Sequence, residues 1–379
     1  MKFLLISISF LFWIQLKAQD TFIIKDVKIF DGKEVLKDTS LKIENGKIVA
    51  IDEYIKPGTD TQVIDGRGKT LIPALSNAHV HAWSPLSLNQ AAKAGVLNVM
   101  DMHGIENFQQ DMKKLKDSTN FARYYVAGYA ATAPEGHGTQ FGFPVPSLNG
   151  PEDAKAFVAD RVKSEVDYIK IIVEPYKNTL SHETVAGIIK EAHNKGLKAV
   201  VHVSRLEDGL KVLENNADGL VHIWWDKEID SRVLAELSKQ KDFFIIPTLL
   251  TTLKAFEFMG DTSENYLSKE QLLSEIIKLH QAEVPILAGT DPPNLNINYG
   301  TDLFKELMLL REAGLSNLEV LKTATSNIAE AFNLKNTGHI KVNYVADMLL
   351  IDGDPTENIQ DISNIEMIWK AGILLNKDE

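Results

Sequence analysis

The sequence of 379 residues predicts an α/β protein, a closed (β/α)8 TIM barrel with a small composite β-sandwich domain formed by both chain ends. Three observations lead there. Eight short apolar, β-branched runs recur along the middle of the chain: "LIPALSNAHVH", "VLNVMDM", "YYVAGYA", "YIKIIV", "KAVVHV", "GLVHI", "FFIIPTL" and "PILAGTD". Most of them are separated by segments with the apolar spacing of amphipathic helices. The two ends of the chain instead carry strand after strand with no helical segment between them. An open doubly wound sheet is the alternative, but no Gly-x-Gly-x-x-Gly follows an early strand.

In chain order, "MKFLLISISFLFWIQLKAQD" has Lys2, an apolar stretch from Phe3 to Ile14, and Ala18 before a polar sequence. This is the pattern of a secretory signal peptide over residues 1–18, and the stretch is short for a membrane span. "TFIIKDVKIF" alternates, and "SLKIENGKIVAI" reads as two strands joined at Asn45-Gly46, a strong hairpin signal. With a strand near "TQVIDG", these make residues 19–70 the first part of the β-sandwich. The barrel is expected over 71–335. Within it, "HETVAGIIKEAHNKG", "RLEDGLKVLENNA" and "SRVLAELSKQ" read as surface helices, the first ending on Gly196. "GHIKV", "ADMLLIDG" and "EMIWKAGIL" return to strands, the second part of the sandwich over 336–379.

Composition narrows the function. The chain is 44% hydrophobic and 24% charged, enough to bury a large core. Its formal net charge is -12 with no basic run, which argues against nucleic acid and anionic membranes as partners. Signal cleavage would remove Lys2 and Lys17, leaving a charge near -14 (-12 minus 2). A secreted or periplasmic protein is expected, acting on a small-molecule substrate, with no stable membrane insertion after cleavage and with a homo-oligomer left open. The chain has no cysteine, so a metal site must use His, Asp, Glu or a modified Lys.

Barrel enzymes place their chemistry at the C-terminal ends of the strands. The ionisable residues that interrupt the apolar runs fall there: His79 and His81 in the first, Lys170 in the fourth, His202 in the fifth, His222 in the sixth and Asp291 at the end of the eighth. A strand sends residues i and i+2 to one face, so His79 and His81 look into one space. Each residue alone has an ordinary reading: a satisfied core histidine, a snorkelling lysine, a turn aspartate. Five strands each carrying such a residue point to a shared metal centre, because an ionisable side chain in an apolar strand is costly unless paired or ligating. Neutral imidazoles and carboxylates suit zinc and similar divalent ions. A buried lysine has a lowered pKa, and its neutral amine can take up carbon dioxide as a carbamate, an anionic two-oxygen ligand.

On these residues the chain resembles the amidohydrolase superfamily in its two-metal form with a carboxylated lysine, over nearly the whole mature length. "TATSNIAEAFNL" and "GHIKVNYVADMLLIDGDP" resemble that family's closing helix and its return into the β domain, and "AGVLNVMDM" with "GHG" at 136–138 is similar to the imidazolonepropionase-like and prolidase-like branch. The resemblance implies one metal held by His79, His81, Lys170 and Asp291, and a second held by Lys170, His202 and His222. It also implies a metal-bridging hydroxide as nucleophile and Asp291 as catalytic base then acid. The expected function is an exported metal-dependent hydrolase of a C–N amide bond in a dipeptide, N-acyl amino acid or cyclic amide. Lactone or phosphotriester hydrolysis on the same centre is the alternative, and a non-catalytic binding protein would have lost a ligand. Deamination is disfavoured, since Arg205 stands three residues after His202 and Glu207 is out of the deaminase register. The family usually has glycine at Ala74 and often an acidic residue at Asn77. His137, in a glycine-flanked loop, and His103, just after the second strand, are candidate substrate-binding residues. Trp224 and Trp225 are candidates for a pocket wall or for core packing. His182, His193, His280 and His339 are assigned no chemistry.

Overall fold

The computed structural model describes residues 21–239, 242–260 and 266–376, so the expected signal peptide at 1–18 lies outside the described residues. Strands from both chain ends form one hydrogen-bonded sheet: β1 (Thr21–Phe30), β2 (Val35–Glu44), β3 (Lys47–Asp52), β4 (Gln62–Asp65) and β5 (Lys69–Pro73) pair with three late strands. β5 runs antiparallel to the first of these, Met348–Asp352, which pairs in turn with Ile365–Lys370. The Asn45-Gly46 turn forms as expected, both residues taking positive φ (49° and 76°). A Cβ on Gly46 would stand 2.7 Å from the carbonyl oxygen of Ala371, so the two outer turns of the sheet meet there. The sheet thereby closes over a core of Phe22, Ile24, Ile29, Leu41, Ile43, Met348, Leu350 and Trp369.

The chain passes into the barrel across a single residue. β5 still pairs with the terminal sheet, Ala74 donates its N–H to the carbonyl of Asp347, and β6 (Leu75–Val80) already pairs with β7. The changeover therefore falls at Ala74 rather than at 71.

The barrel strands follow as β6, β7 (Val96–Asp101), β8 (Arg123–Val126), β9 (Ile169–Ile172), β10 (Ala199–His202), β11 (Gly219–Val221) and β12 (Phe244–Ile246), each pair parallel. Ala131 bridges to Ile171 and carries the sheet from the third strand to the fourth; Ile245 bridges to Ile286 and carries it to the eighth. The eighth run, 285–288, is a short extended stretch. Its Ala288 carbonyl accepts from the N–H of Ala78 on β6, which closes the ring. The late strands of the terminal sheet are β13 (Met348–Asp352), β14 (Ile365–Lys370) and β15 (Ile373–Leu374).

The intervening helices form where the apolar period asks for them. His182–Asn194 starts at Ser181, whose hydroxyl accepts from the N–H of Thr184, and stops before Gly196 at φ 70°. Leu206–Glu214 and Ser231–Leu237 cover the next two expected helices. Alternation along the strands decides which side chains reach the barrel axis. On β9 and β10 the odd positions Ile169, Ile171, Ala199 and Val201 pack outward under the helices, while Val200 joins Ala78, Met100, Tyr168, Phe244 and Leu287 inside. That same inward register carries Lys170 and His202 to the barrel mouth. Among the described residues no helix is long and apolar enough to cross a membrane.

Candidate metal centre

All six expected ligands, His79, His81, Lys170, His202, His222 and Asp291, line one pocket at the C-terminal ends of the strands, together with His103, His137, Phe141 and Asn294. The Asp291 Oδ1 lies 2.9 Å from His81 Nε2 and 3.3 Å from His79 Nε2. The His79 and His222 rings stack at 5.0 Å, and those of His202 and His222 meet edge-on at 4.9 Å. One ligand atom each from His79, His222 and Asp291 fall within 4.8 Å of one another.

Several features of these donors fit divalent ions. Both ring nitrogens of His79 and the Nδ1 of His81 are buried with no hydrogen-bond partner, an arrangement that is costly unless another group binds there. Burial, reinforced by Lys170 and neighbouring imidazoles, pushes His79 and His202 well below the ordinary histidine range; for His222 the order is burial, then His202. They are therefore neutral, as ligation requires. The tautomer of His222 is set from behind. Thr248 donates its single hydroxyl proton to the Pro247 carbonyl at 2.8 Å, so it must accept from His222 Nδ1, leaving Nε2 bare towards the pocket. Thr248 sits at φ 46°, a strained setting for a β-branched residue that this contact accompanies. Burial likewise lowers Lys170 to about 7, only partly opposed by Asp291, so a neutral amine is accessible near neutrality. For Asp291 burial acts upward, but hydrogen bonding to His81 outweighs it and holds the carboxyl below its usual value.

The unusual Asn77 has a structural role. Fully buried, it donates from Nδ2 to Thr290 Oγ1 at 2.7 Å and accepts at Oδ1 from the N–H groups of His79 (3.1 Å) and Thr290 (3.2 Å). It clamps the first strand to the eighth beside the candidate ligands that each carries. Asp291 itself takes φ 55° and its carbonyl accepts from Asn294 N–H, so it is the turn residue that "GTD" allowed while its carboxylate faces the pocket. Alanine suffices at 74, which has no positive φ and is simply buried where the chain passes from the terminal sheet to the barrel.

The substrate-binding candidates differ from each other. The His137 ring lies 4.9 Å from that of His202 and faces the pocket, half-buried. Both nitrogens of His103 are already used: Nδ1 accepts from Ala130 N–H at 2.9 Å and Nε2 stands 3.1 Å from the Gly138 carbonyl. His103 thus ties the glycine-flanked loop to the second strand and offers the pocket a ring face. Trp224 is core, donating to Glu275 at 2.8 Å, whereas Trp225 stacks on Tyr176 at 5.2 Å outside the metal pocket. Glu207 is exposed and pairs with Lys211. His182, His193, His280 and His339 each face a carboxylate on another part of the surface.

Sequence reasoning missed two acidic groups. Asp101 closes β7 and accepts from the N–H of Ala82 and His103 and from the Tyr124 hydroxyl; burial pushes it up to about 6. Glu174 lies two residues past β9, with its Oε2 3.2 Å from His202 Nε2. Its signal was the same as for the others, an ionisable residue just past a strand end. A larger groove of about 800 Å3 opens at the opposite end of the barrel, where Lys198 pairs with Asp218 at 3.3 Å and His280 with Glu319 at 2.8 Å. The converging donors, and the strand ends that carry chemistry in barrel enzymes, are at the other mouth.

Comparison with known proteins bears on the fold and the family. The chain is 27% identical over 364 residues to a 5'-deoxyadenosine deaminase of Methanosarcina acetivorans, covering 84% of this chain and 80% of the relative. Among solved structures, a candidate prolidase from Bifidobacterium longum matches with a TM-score of 0.81 at 23% identity, covering 95% of each chain. A Xaa-Pro dipeptidase solved with methionine in its active site matches with a TM-score of 0.79 at 20% identity, over 94% of this chain and 100% of that one. The model of the amidohydrolase family matches residues 70–375, and on that match and this barrel the chain belongs to the amidohydrolase family.

Proposed function

We propose that the protein is an exported, binuclear metal-dependent hydrolase that cleaves an amide C–N bond in a dipeptide, N-acyl amino acid or cyclic amide. The observation that carries this reading is the convergence of His79, His81, Lys170, His202, His222 and Asp291 from five strands onto one pocket, with the aspartate oxygen within 3.3 Å of two imidazoles. When bound, zinc or a similar divalent ion supplies Lewis acidity, activating water and polarising the scissile carbonyl. The residues of the chain do the rest. The Lys170 amine, whose pKa burial lowers, would add to carbon dioxide and lose a proton to solvent, giving a carbamate whose anionic oxygens would be available as metal ligands. Asp291 accepts the proton of the attacking water and delivers it to the departing amine. Asn294, donating to Asp291 Oδ1 at 2.9 Å, keeps that carboxylate aimed. His137 reaches into the same space and can hold the substrate carbonyl or carboxylate. Trp83, Phe141 and Phe143 cluster beside His81 and His103 (Trp83–Phe141 5.2 Å, His81–Phe141 5.9 Å), favouring a substrate with an apolar or aromatic group next to the scissile bond.

The deaminase relative supports a second reading, release of ammonia from an aminated ring. It is the weaker one because Lys170 is in place and Arg205, not an acid, stands at the third position after His202, stacked on Tyr176 at 4.7 Å. The test is a screen of zinc-loaded protein against dipeptides, N-acyl amino acids, lactones, phosphotriesters and aminated nucleosides, following amine and ammonia release separately. Turnover confined to ammonia release, or none with any amide, overturns the proposal. Export is tested by the N-terminal residue of protein recovered from the source cells: a start near Gln19 supports it, an intact Met1 refutes it.

A further inference from the structure

We propose that Phe141 is a gate on the metal pocket, and that its ring holds the place taken by an aromatic group of the substrate when the gate opens. The inference rests on the hydrolase reading above and names a part of the substrate and a step of its entry that this reading leaves open. It starts from size. The pocket between the candidate ligands has a volume of about 30 Å3, room for two or three waters at about 10–15 Å3 each. Sites that enclose small-molecule ligands run to about 300–1,000 Å3. The candidate ligands are correspondingly hidden: His79, His81, Lys170, His202 and Asp291 are all more than nine-tenths buried. Neither a dipeptide nor an N-acyl amino acid enters this space until something moves.

Phe141 lines the pocket from a loop with little to hold it. Thr139–Phe141 is a single turn set between two left-handed glycines, Gly138 at φ 97° and Gly142 at φ 81°. The Gly138 end is anchored, its carbonyl 3.1 Å from His103 Nε2. The other end is free: a Cβ on Gly142 would meet nothing within 4 Å, and residues 142–146 make no hydrogen bond among the described residues. A segment without backbone hydrogen bonds opens at low cost, as loops that admit substrate must. What holds Phe141 is its ring, which meets Trp83 edge-on at 5.2 Å, His103 at 5.8 Å and His81 at 5.9 Å. These three belong to other segments and stay behind when the loop swings. Trp83 donates its indole N–H to the His103 carbonyl at 2.8 Å, and His103 accepts from the Ala130 N–H. The departing ring therefore leaves a fixed hollow, bounded by aromatic side chains at the spacing a phenyl group prefers and opening onto the candidate ligand His81. An aromatic group of the substrate can replace Phe141 there contact for contact.

The experiment loads wild type and F141A with cobalt(II), an optical stand-in for zinc, and titrates each with two metal-binding probes while the visible absorption of the bound ion is followed. Azide is small enough for the closed pocket. 3-Phenylpropanohydroxamate carries a phenyl ring that must displace Phe141. A gate closed about nine-tenths of the time weakens apparent affinity about tenfold, and removing its ring abolishes that loss. F141A should therefore bind the hydroxamate about tenfold more tightly than wild type, with azide unchanged to within about twofold. Adding W83A to F141A should weaken the hydroxamate again by about three- to tenfold, because the aromatic wall is gone. Weaker or unchanged hydroxamate binding by F141A makes Phe141 a wall or a bystander and overturns the inference, while the hydrolase reading stands. So does an equal gain for azide, or a double variant that keeps the full gain. Wild type that takes up no cobalt, or whose cobalt responds to neither probe, defeats the hydrolase reading itself and the inference with it. If F141A does not fold, F141L, which keeps an apolar side chain in the loop, is compared in the same way and decides by the same outcomes.

Discussion

Replacing Asn77 by Ala should disable the centre without touching a ligand. Asn77 is 0% exposed and makes three hydrogen bonds of 2.7, 3.1 and 3.2 Å that join the backbone of His79 to Thr290. Each is worth about 1 kcal/mol net, and a buried donor left without its acceptor costs about 1–3 kcal/mol. The N–H of His79 is stranded by the change. The N–H of Thr290 keeps only a 3.4 Å contact with the His79 carbonyl. The expected loss of stability is about 3–5 kcal/mol. The second consequence is geometric: the 2.9 and 3.3 Å separations between Asp291 and the two histidines depend on how the first and eighth strands are held. Loss of such support lowers metal affinity by about 10–100-fold. Asn77→Asp keeps an acceptor for both backbone N–H groups, and Thr290 can donate to it, so it should recover most of both properties. Urea denaturation of the metal-free protein gives the first quantity and titration with a competing chelator the second. An Asn77→Ala protein within about 1 kcal/mol of wild type, binding metal as tightly, would refute the clamp.

Lys170→Ala should lose bound metal and most turnover, and chelation should lower the melting temperature of wild type far more than that of the variant; equal shifts in the two would remove Lys170 from the ligand set. Asp347 ties the terminal sheet to the barrel through both guanidinium nitrogens of Arg123 and through the Ala371 N–H, and Asp347→Ala strands a largely buried cation, so denaturation should show a loss of about 3–5 kcal/mol. Lys370, buried against the carbonyls of Ser118 and Phe121, is held down to about 8 by burial. Between about pH 8 and the ordinary lysine value the unfolded chain binds more protons than the folded one, so this residue's contribution to stability rises with pH there. The slope is at most about 1.4 kcal/mol per pH unit and the term is constant below pH 8. The stability difference between wild type and Lys370→Met should follow that course in urea titrations at successive pH values, and a flat difference would contradict it.

How far the sequence could be read depended on the kind of signal. The barrel strands were legible because each is a short apolar run, and the ligands because each interrupts such a run near its end. The eighth strand was legible as "PILAGTD" although it folds as a brief extended stretch, since its apolar character reflects burial rather than ladder length. The edge of the terminal domain was less legible: "KTLIPALSNAHVH" is continuous in sequence, and only pairing partners divide β5 from β6 at Ala74. Glu174 stands just past a strand end as the candidate ligands do, but "IIVEP" reads equally as a strand followed by a surface loop, and only the fold shows its carboxylate turning back to His202.

Residue type and strand period, both local, determined by themselves which side chains face the barrel axis and therefore which could ligate: i and i+2 share a face whatever the fold around them. The tertiary structure alone decided their company. Closure of the ring brings Asp291 to His81 across 210 residues of chain, sets Thr248 behind His222 and Asn77 between two strands, and uses up both nitrogens of His103. Distances between atoms far apart in sequence follow from packing, and it is these distances, not the residue list, that separate a ligand from a neighbour.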